Sequence, residues 1–174
     1  MGYEYINAIG QDSHRFIHSS KREDGSTDII RGQKLGGVWI PDSPRIDANS
    51  DGDVILHALT NAVSGITGVN ILGKRADQMC LSEGTKDSAE YLKAAITNLG
   101  ERQIIHASIS VECKTPRLES HIDDIRLGVS KLLCVPVTSV GLTATSGEEL
   151  TAFGRGEGIM VTCSITVRQA QRES

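Results

Sequence analysis

Aromatic residues are scarce: one tryptophan, three tyrosines and two phenylalanines make up 3% of 174 residues. A core of this size must then be filled by Val, Ile, Leu and Ala, which is feasible but thin, so further burial between subunits is expected. An excess of one charge is lacking too. Eighteen basic and twenty-two acidic residues leave −4, so no broad basic face suits nucleic acid or an anionic membrane surface. No apolar run approaches the roughly 20 residues that cross a bilayer. The opening MGYEYINAIGQDSH has neither the basic nor the apolar region of a secretory signal. Cys80, Cys113, Cys134 and Cys163 lie far apart and form no CxxC pair. That argues against a disulfide framework or an all-cysteine zinc site, and buried reduced thiols in a cytoplasmic protein are the expectation. Repeats, linkers and low-complexity tracts are absent, and at roughly 100–200 residues per domain residues 1–174 read as one domain.

What is present is a regular alternation of strand and helix signals. Residues 4–10 alternate apolar and polar before a Gln-Asp-Ser-His turn, a first strand. Residues 18–31 are polar and turn-rich, an exposed excursion, and 35–41 (LGGVWIP) read as a second strand completing an initial hairpin. Ser50 and Asp51 then cap a helix in which Val54, Ile55, Ala58, Leu59, Ala62 and Val63 recur at three- and four-residue spacing, ending near 65–68. Residues 70–84 show no period and read as a loop. A second helix covers 85–100, with acidic Asp87 and Glu90 at its start and a glycine at its end. A strand at 104–111, a helix at 119–134, a strand at 139–145, a polar Gly-rich loop at 146–157 and a strand at 159–167 complete the chain. The fold class is α+β: one mixed four-stranded sheet with helices on one face. Val111, Val161, Ile165 and Val167 are too apolar for full solvation, which suggests that the other face is buried between subunits.

Four patches carry chemistry. Asp12-Ser13-His14 puts two metal-capable side chains on one side of an extended turn, and His57 from a distant helix could complete a three-ligand site. Three N/O donors with an open fourth position are what catalytic zinc requires; taken singly, a histidine placed like His57 is more often a hydrogen-bonded core residue, and His14 reads also as a turn residue. His18, His106 and His121 have no partner pattern. Asn49-Ser50-Asp51-Gly52-Asp53 leads into a helix, where backbone N–H groups favour phosphate, or where the acidic residues simply cap it. Thr145-Ser146-Gly147-Glu148, followed by Arg155, offers hydroxyls, a carboxylate and a cation suited to a diphosphate with a hard divalent ion; an ordinary surface loop has the same ingredients. Lys114-Thr115-Pro116-Arg117 ends a strand with two cations around a proline, either a phosphate or base clamp or a solvated loop.

Together these patches resemble the 2-C-methyl-D-erythritol 2,4-cyclodiphosphate synthase family. LGGVWIP at 35–41 and SDGDVILHAL at 50–59 look like one family block; Glu148 with GRGEGI at 154–159 looks like a second. Asp87-Ser88, Pro116-Arg117-Leu118 and the D-x-H at 12–14 fall in the expected order. The resemblance implies a homotrimer with active sites between subunits. Asp12, His14 and His57 would bind zinc and Glu148 a second cation, magnesium or manganese. Asn49 and Ser146 take the catalytic positions. The small-molecule cytidine diphosphate substrate would meet Asp12, His14, Asn49, Ser50, Leu72, Gly73, Lys114, Thr115, Pro116, Arg117, Thr145, Ser146, Gly147, Glu148 and Arg155. The implied reaction closes a cyclic diphosphate and expels CMP in the non-mevalonate isoprenoid pathway.

This chain also departs from the family pattern. Asn49 stands where histidine is usual, and Thr145-Ser146-Gly147-Glu148 where the family has Thr-Thr-Thr-Glu. Asn70-Ile71-Leu72-Gly73 replaces Gly-Asp-Ile-Gly, residues 76–80 replace Phe-Pro-Asp-Thr-Asp, Arg117 stands where lysine is common, and Phe153 is offset by one. The metal and diphosphate end is thus kept, and the changes gather at the nucleoside end. The alternatives are a catalytically impaired trimer that binds isoprenoid diphosphates, with Arg155 lining a cavity on its axis, and a metal-dependent nucleotide hydrolase.

Overall fold

The computed structural model describes residues 2–17 and 31–171, so the excursion expected from residue 18 lies outside the described residues up to Arg31. The chain runs β1 (Tyr3–Arg15), β2 (Arg31–Leu35), β3 (Val38–Pro44), α1 (Val54–Thr67), α2 (Lys74–Glu83), α3 (Ser88–Thr97), β4 (Gln103–Glu112), α4 (Ile122–Leu133), β5 (Val140–Thr145) and β6 (Gly158–Ala170). Four strands form one mixed sheet in the order β1-β6-β4-β5. β6 is antiparallel to both its neighbours, and β4 and β5 are parallel.

The expected hairpin between the first two strands does not form. β1 pairs along its whole length with the last strand, from Tyr3↔Ala170 to Arg15↔Gly158. Residues 35–41 are split instead by Gly36 and Gly37, both at positive φ, into the separate hairpin β2–β3. Two adjacent left-handed residues are what a tight two-residue turn demands, and glycine adopts them without strain.

Helices cover one sheet face, as expected. α1 lies on β1 and β6, α3 on α1, and α4 on β5. The helix-period stripe of α1 is fully buried, with Val54, Ile55, Leu56, Ala58, Leu59, Ala62 and Val63 at 0% exposure. Its cap is Asp53, not Ser50 or Asp51. The buried Asp53 carboxylate accepts from Leu56 N–H at 3.1 Å and from the turn N–H groups of Gly36 and Gly37 at 2.8 and 2.7 Å. This one side chain therefore ties the hairpin to the helix start. Each buried N–H left bare by its removal would cost about 1–3 kcal/mol.

Two further expectations are corrected. Residues Lys74–Glu83 form α2 where a loop was expected; among its described side chains Ala76 and Met79 pack against the core, too few to mark an apolar period. Val111, Val161, Ile165 and Val167 are buried within the chain, beneath the helices, and give no argument for subunit contact. The open sheet face carries Asn7, Gln11, Ser108, Ser110, Thr162 and Ser164, interrupted by Ile9, which is 73% exposed. Cys113 and Cys163 are buried, and burial pushes both thiols up to about 12; Cys80 is half-buried and Cys134 exposed, and all four are free.

Candidate metal centre and phosphate pocket

α1 crosses β1 at Gly10, where a Cβ would stand 2.0 Å from the Ala58 carbonyl oxygen. The missing side chain lets helix and strand approach closely, and His57 comes down beside the end of β1. There Asp12 and His14 point to the same face because strand side chains alternate with period two. Asp12 Oδ2 lies 3.0 Å from His14 Nε2 and 3.0 Å from His57 Nδ1, and the two ring nitrogens are 3.4 Å apart. A tetrahedral ion with bonds of about 2.0–2.1 Å would hold its donors about 3.3 Å apart. The three donors thus fit a small divalent ion, with one coordination position left over.

Charge in the cluster is balanced internally. Burial works to raise the Asp12 carboxyl, but hydrogen bonds and attraction from His14 and His57 outweigh it and hold the group at about 2. The hydrogen bond to Asp12 raises His14 above its ordinary 6.5, against the opposing effect of burial. Behind His57, Ser88 Oγ lies 2.9 Å from Nε2, and Ser50 Oγ lies 3.4 Å from the same nitrogen. Asn49, next to Ser50, is exposed, and its side-chain amide has no hydrogen bond among the described residues.

A second centre lies at the opposite edge of the sheet. A cavity of about 890 Å³ is lined by Lys114, Pro116, Arg117, Thr145, Ser146 and Glu148, all expected, and by Cys113, Leu118, Glu119, Ile122, Ala144, Glu149 and Gly154, which were not. The apolar lining comes from Cys113 and Leu118 in the segment after β4, Ile122 at the start of α4 and Ala144 of β5, which no single local pattern marks. Thr115 adjoins through a cis bond to Pro116, and Gly147 donates its N–H to Thr145 Oγ1 at 3.2 Å. Glu148 and Glu149 are both left-handed, at φ 48° and 62°. Such backbone costs about 1–3 kcal/mol per non-glycine residue and gathers at functional sites. Lys114 Nζ pairs with Glu149 Oε1 at 2.6 Å, and this exposed contact holds the Glu149 carboxyl below its usual range.

Three expected site residues lie in neither centre. Arg155 is exposed and paired with Glu157 at 3.0 Å. Leu72 is half-buried against the core, and Gly73 caps α2. His106 and His121 take no part in the Asp12–His14–His57 group, the one such cluster of potential metal ligands among the described residues. A smaller cavity of about 420 Å³ beside His14 is lined by Ser13, Arg15, Phe16, Ala152, Phe153, Glu157 and Gly158.

Relatives of known activity share this sequence and fold. The 2-C-methyl-D-erythritol 2,4-cyclodiphosphate synthase of Chlamydia trachomatis serovar A is 40% identical over 166 residues, 95% of this chain and 89% of that protein. The bifunctional IspDF of Campylobacter jejuni superposes with a TM-score of 0.82 at 26% identity, over 98% of this chain and 44% of that longer one. A 2C-methyl-D-erythritol-2,4-cyclodiphosphate synthase solved in its CDP-bound form shares the fold, with a TM-score of 0.73 at 23% identity over 93% of this chain and 99% of that one. The sequence profile of the YgbB family matches residues 6–168, and the chain belongs to that family.

Proposed function

We propose that this protein converts 4-diphosphocytidyl-2-C-methyl-D-erythritol 2-phosphate to 2-C-methyl-D-erythritol 2,4-cyclodiphosphate and CMP, as a cytoplasmic homotrimer. The observation that carries the reading is the convergence of Asp12, His14 and His57 on one point with one coordination position to spare, in a chain 40% identical to a protein of that activity. An oxygen of the 2-phosphate attacks the β-phosphorus, the bond from that phosphorus to the bridging oxygen breaks, and CMP departs with the electron pair. No water is consumed and no protein nucleophile is needed.

Asp12, His14 and His57 would hold zinc, and Glu148 would hold magnesium or manganese, which prefer hard oxygen donors. When bound, the cations supply positive charge that draws the phosphates together and offsets the charge building on their oxygens. The chain's own groups position the rest. The Asn49 amide donates a hydrogen bond to a phosphate oxygen, and Ser146 donates its hydroxyl from the cavity wall. Lys114, Thr115, Pro116 and Arg117 frame the base. Catalysis is then orientation plus charge neutralisation.

Trimerisation gains support from the spacing of the two centres. Asp12 pairs with Val161, Val161 with Val111, and Val111 with Ala144, so three strand spacings, about 14 Å, separate the metal centre from the cavity. One compact substrate would bridge them most directly if the cavity of one subunit faced the metal centre of the next. The exposed Ile9 on the open sheet face would be covered in the same assembly. Incubation with the cytidine substrate, followed by phosphorus NMR, tests the reaction: CMP and a cyclic diphosphate in equal amounts are expected. Binding without turnover, or release of two open-chain phosphates, would overturn it. Light scattering at micromolar concentration should give three times the chain mass, and a fully active monomer would sink the shared site.

A further inference from the structure

The far side of His57 is built as carefully as the side that faces Asp12. Ser88 opens α3, is fully buried, and lies against Nε2 at 2.9 Å. Its hydroxyl proton goes to Asp51 Oδ1, which also accepts the Ser88 backbone N–H at 3.3 Å and that of Asp53 at 3.3 Å. Lys34 of β2 sits 3.4 Å from the other carboxylate oxygen, and the Asp51 N–H donates to the Lys86 carbonyl at 2.8 Å. All but the Asp53 contact cross between separate segments of the chain.

We propose that Asp51 and Ser88 are positioning residues that fix the tautomer of His57 and aim its Nδ1 at the metal. A hydroxyl has one proton; once Ser88 gives it to Asp51, its oxygen can only accept from Nε2. With an ion bound, Nε2 therefore keeps the ring proton, and Nδ1, which meets Asp12 Oδ2 and His14 Nε2 in the metal-free cluster, offers its lone pair to the ion between them. The Asp51 carboxylate orients the serine, and Lys34, 3.4 Å from its other oxygen, holds the carboxylate in place. A hydroxyl held in this way fixes the orientation of the imidazole, as outer partners of metal-bound histidines do. Ser50 Oγ lies farther from Nε2 and accepts the Gly52 N–H at 3.2 Å, so it is the weaker support.

The inference rests on the metal reading of Asp12, His14 and His57, and the test separates the two. Zinc affinity is measured by chelator competition in the wild type, H57A, S88A, S88T and D51N. The ring nitrogens of His57 are followed by nitrogen-15 NMR in the zinc-loaded wild type. The wild type should show a protonated, slowly exchanging Nε2. S88A should bind zinc about 10–100-fold more weakly with faster exchange at that proton, S88T should return to within a few-fold, and D51N should fall between. Zinc binding absent from the wild type, or undiminished in H57A, defeats the metal reading itself. With those two as expected, a protonated Nδ1 in the wild type overturns the relay even if no Ser88 variant folds. So does zinc affinity in S88A and D51N within threefold of the wild type.

Discussion

The two ends of the site are built differently. The candidate metal centre stands on the end of β1 and the first turn of α1, and its supports, Asp53 and Ser88, are fully buried. The candidate phosphate cavity is walled by the segment after β4 and the turn after β5, with Ser146, Glu148 and Glu149 all exposed. A centre whose ligands must converge within a few tenths of an ångström needs packed elements to hold them. A cavity that meets a flexible phosphorylated chain can use loops that close on it. The departures from the family pattern fall on Asn49, on residues 70–80, on 146–147, on Arg117 and on the offset Phe153, and none replaces Asp12, His14, His57 or Glu148.

That contrast can be broken at its rigid end first. H57A should lose its zinc and reduce CMP release to background at any magnesium concentration, measured by elemental analysis and product assay. Retained zinc would show that the convergence of Asp12, His14 and His57 is only a hydrogen-bonded cluster. E148Q removes one charge from the loop-built end and should keep zinc, fold and assembly. Its turnover should fall about 10²–10³-fold and recover in part as magnesium is raised, because mass action offsets weaker binding. Normal turnover at low magnesium would return Glu148 to an ordinary loop carboxylate.

N49A sharpens the boundary between the two ends. It should lower turnover by about 10²-fold while leaving zinc content untouched, whereas N49H should introduce a pH dependence that an amide cannot have. Unchanged turnover in N49A would show that this donor has left the reaction.

The sign of the pH dependence should invert with metal loading. In the metal-free protein His14 is raised above 6.5 by Asp12. Its pairing therefore stabilises the fold fully below about 6.5 and is lost as pH rises through the raised value. Asp12, held at about 2, stays ionised throughout this range and adds no slope. Zinc requires a neutral His14, so its affinity falls as the pH drops through that same value. The metal-free protein should melt higher at pH 6 than at pH 8, and the zinc-loaded protein the reverse. Parallel trends would break the Asp12–His14 coupling. The smallest effect belongs to the exposed Lys114–Glu149 pair: E149A should leave the melting temperature unchanged within error.

Legibility in the sequence followed the same division. Asp12, His14 and His57 could be read as ligands because D-x-H and a histidine on an apolar helix stripe are local patterns. The strands of the sheet and α1, α3 and α4 were legible from period and end signals, although β1 runs on to Arg15 through the turn expected at 11–14. α2 was not, since two inward residues make no period, and neither was the β2–β3 hairpin, whose paired glycines look like part of one strand. Ser88 and Asp51 stood in recognisable motifs, yet nothing local shows that a serine opening one helix will reach the histidine of another.

Residue chemistry and local period by themselves determined which side chains can bind metal or phosphate, and which face each element buries. Only the tertiary structure decided who meets whom. β1 closes against β6 at the far end of the chain, Gly10 lets α1 bring His57 across 43 residues to His14, and Ser88 reaches Asp51 from 37 residues away. The reason is physical. Periodicity records the burial of an element against some apolar neighbour, and that free energy is non-directional; the identity of the neighbour comes from long-range pairing and close packing, which no local window of sequence contains.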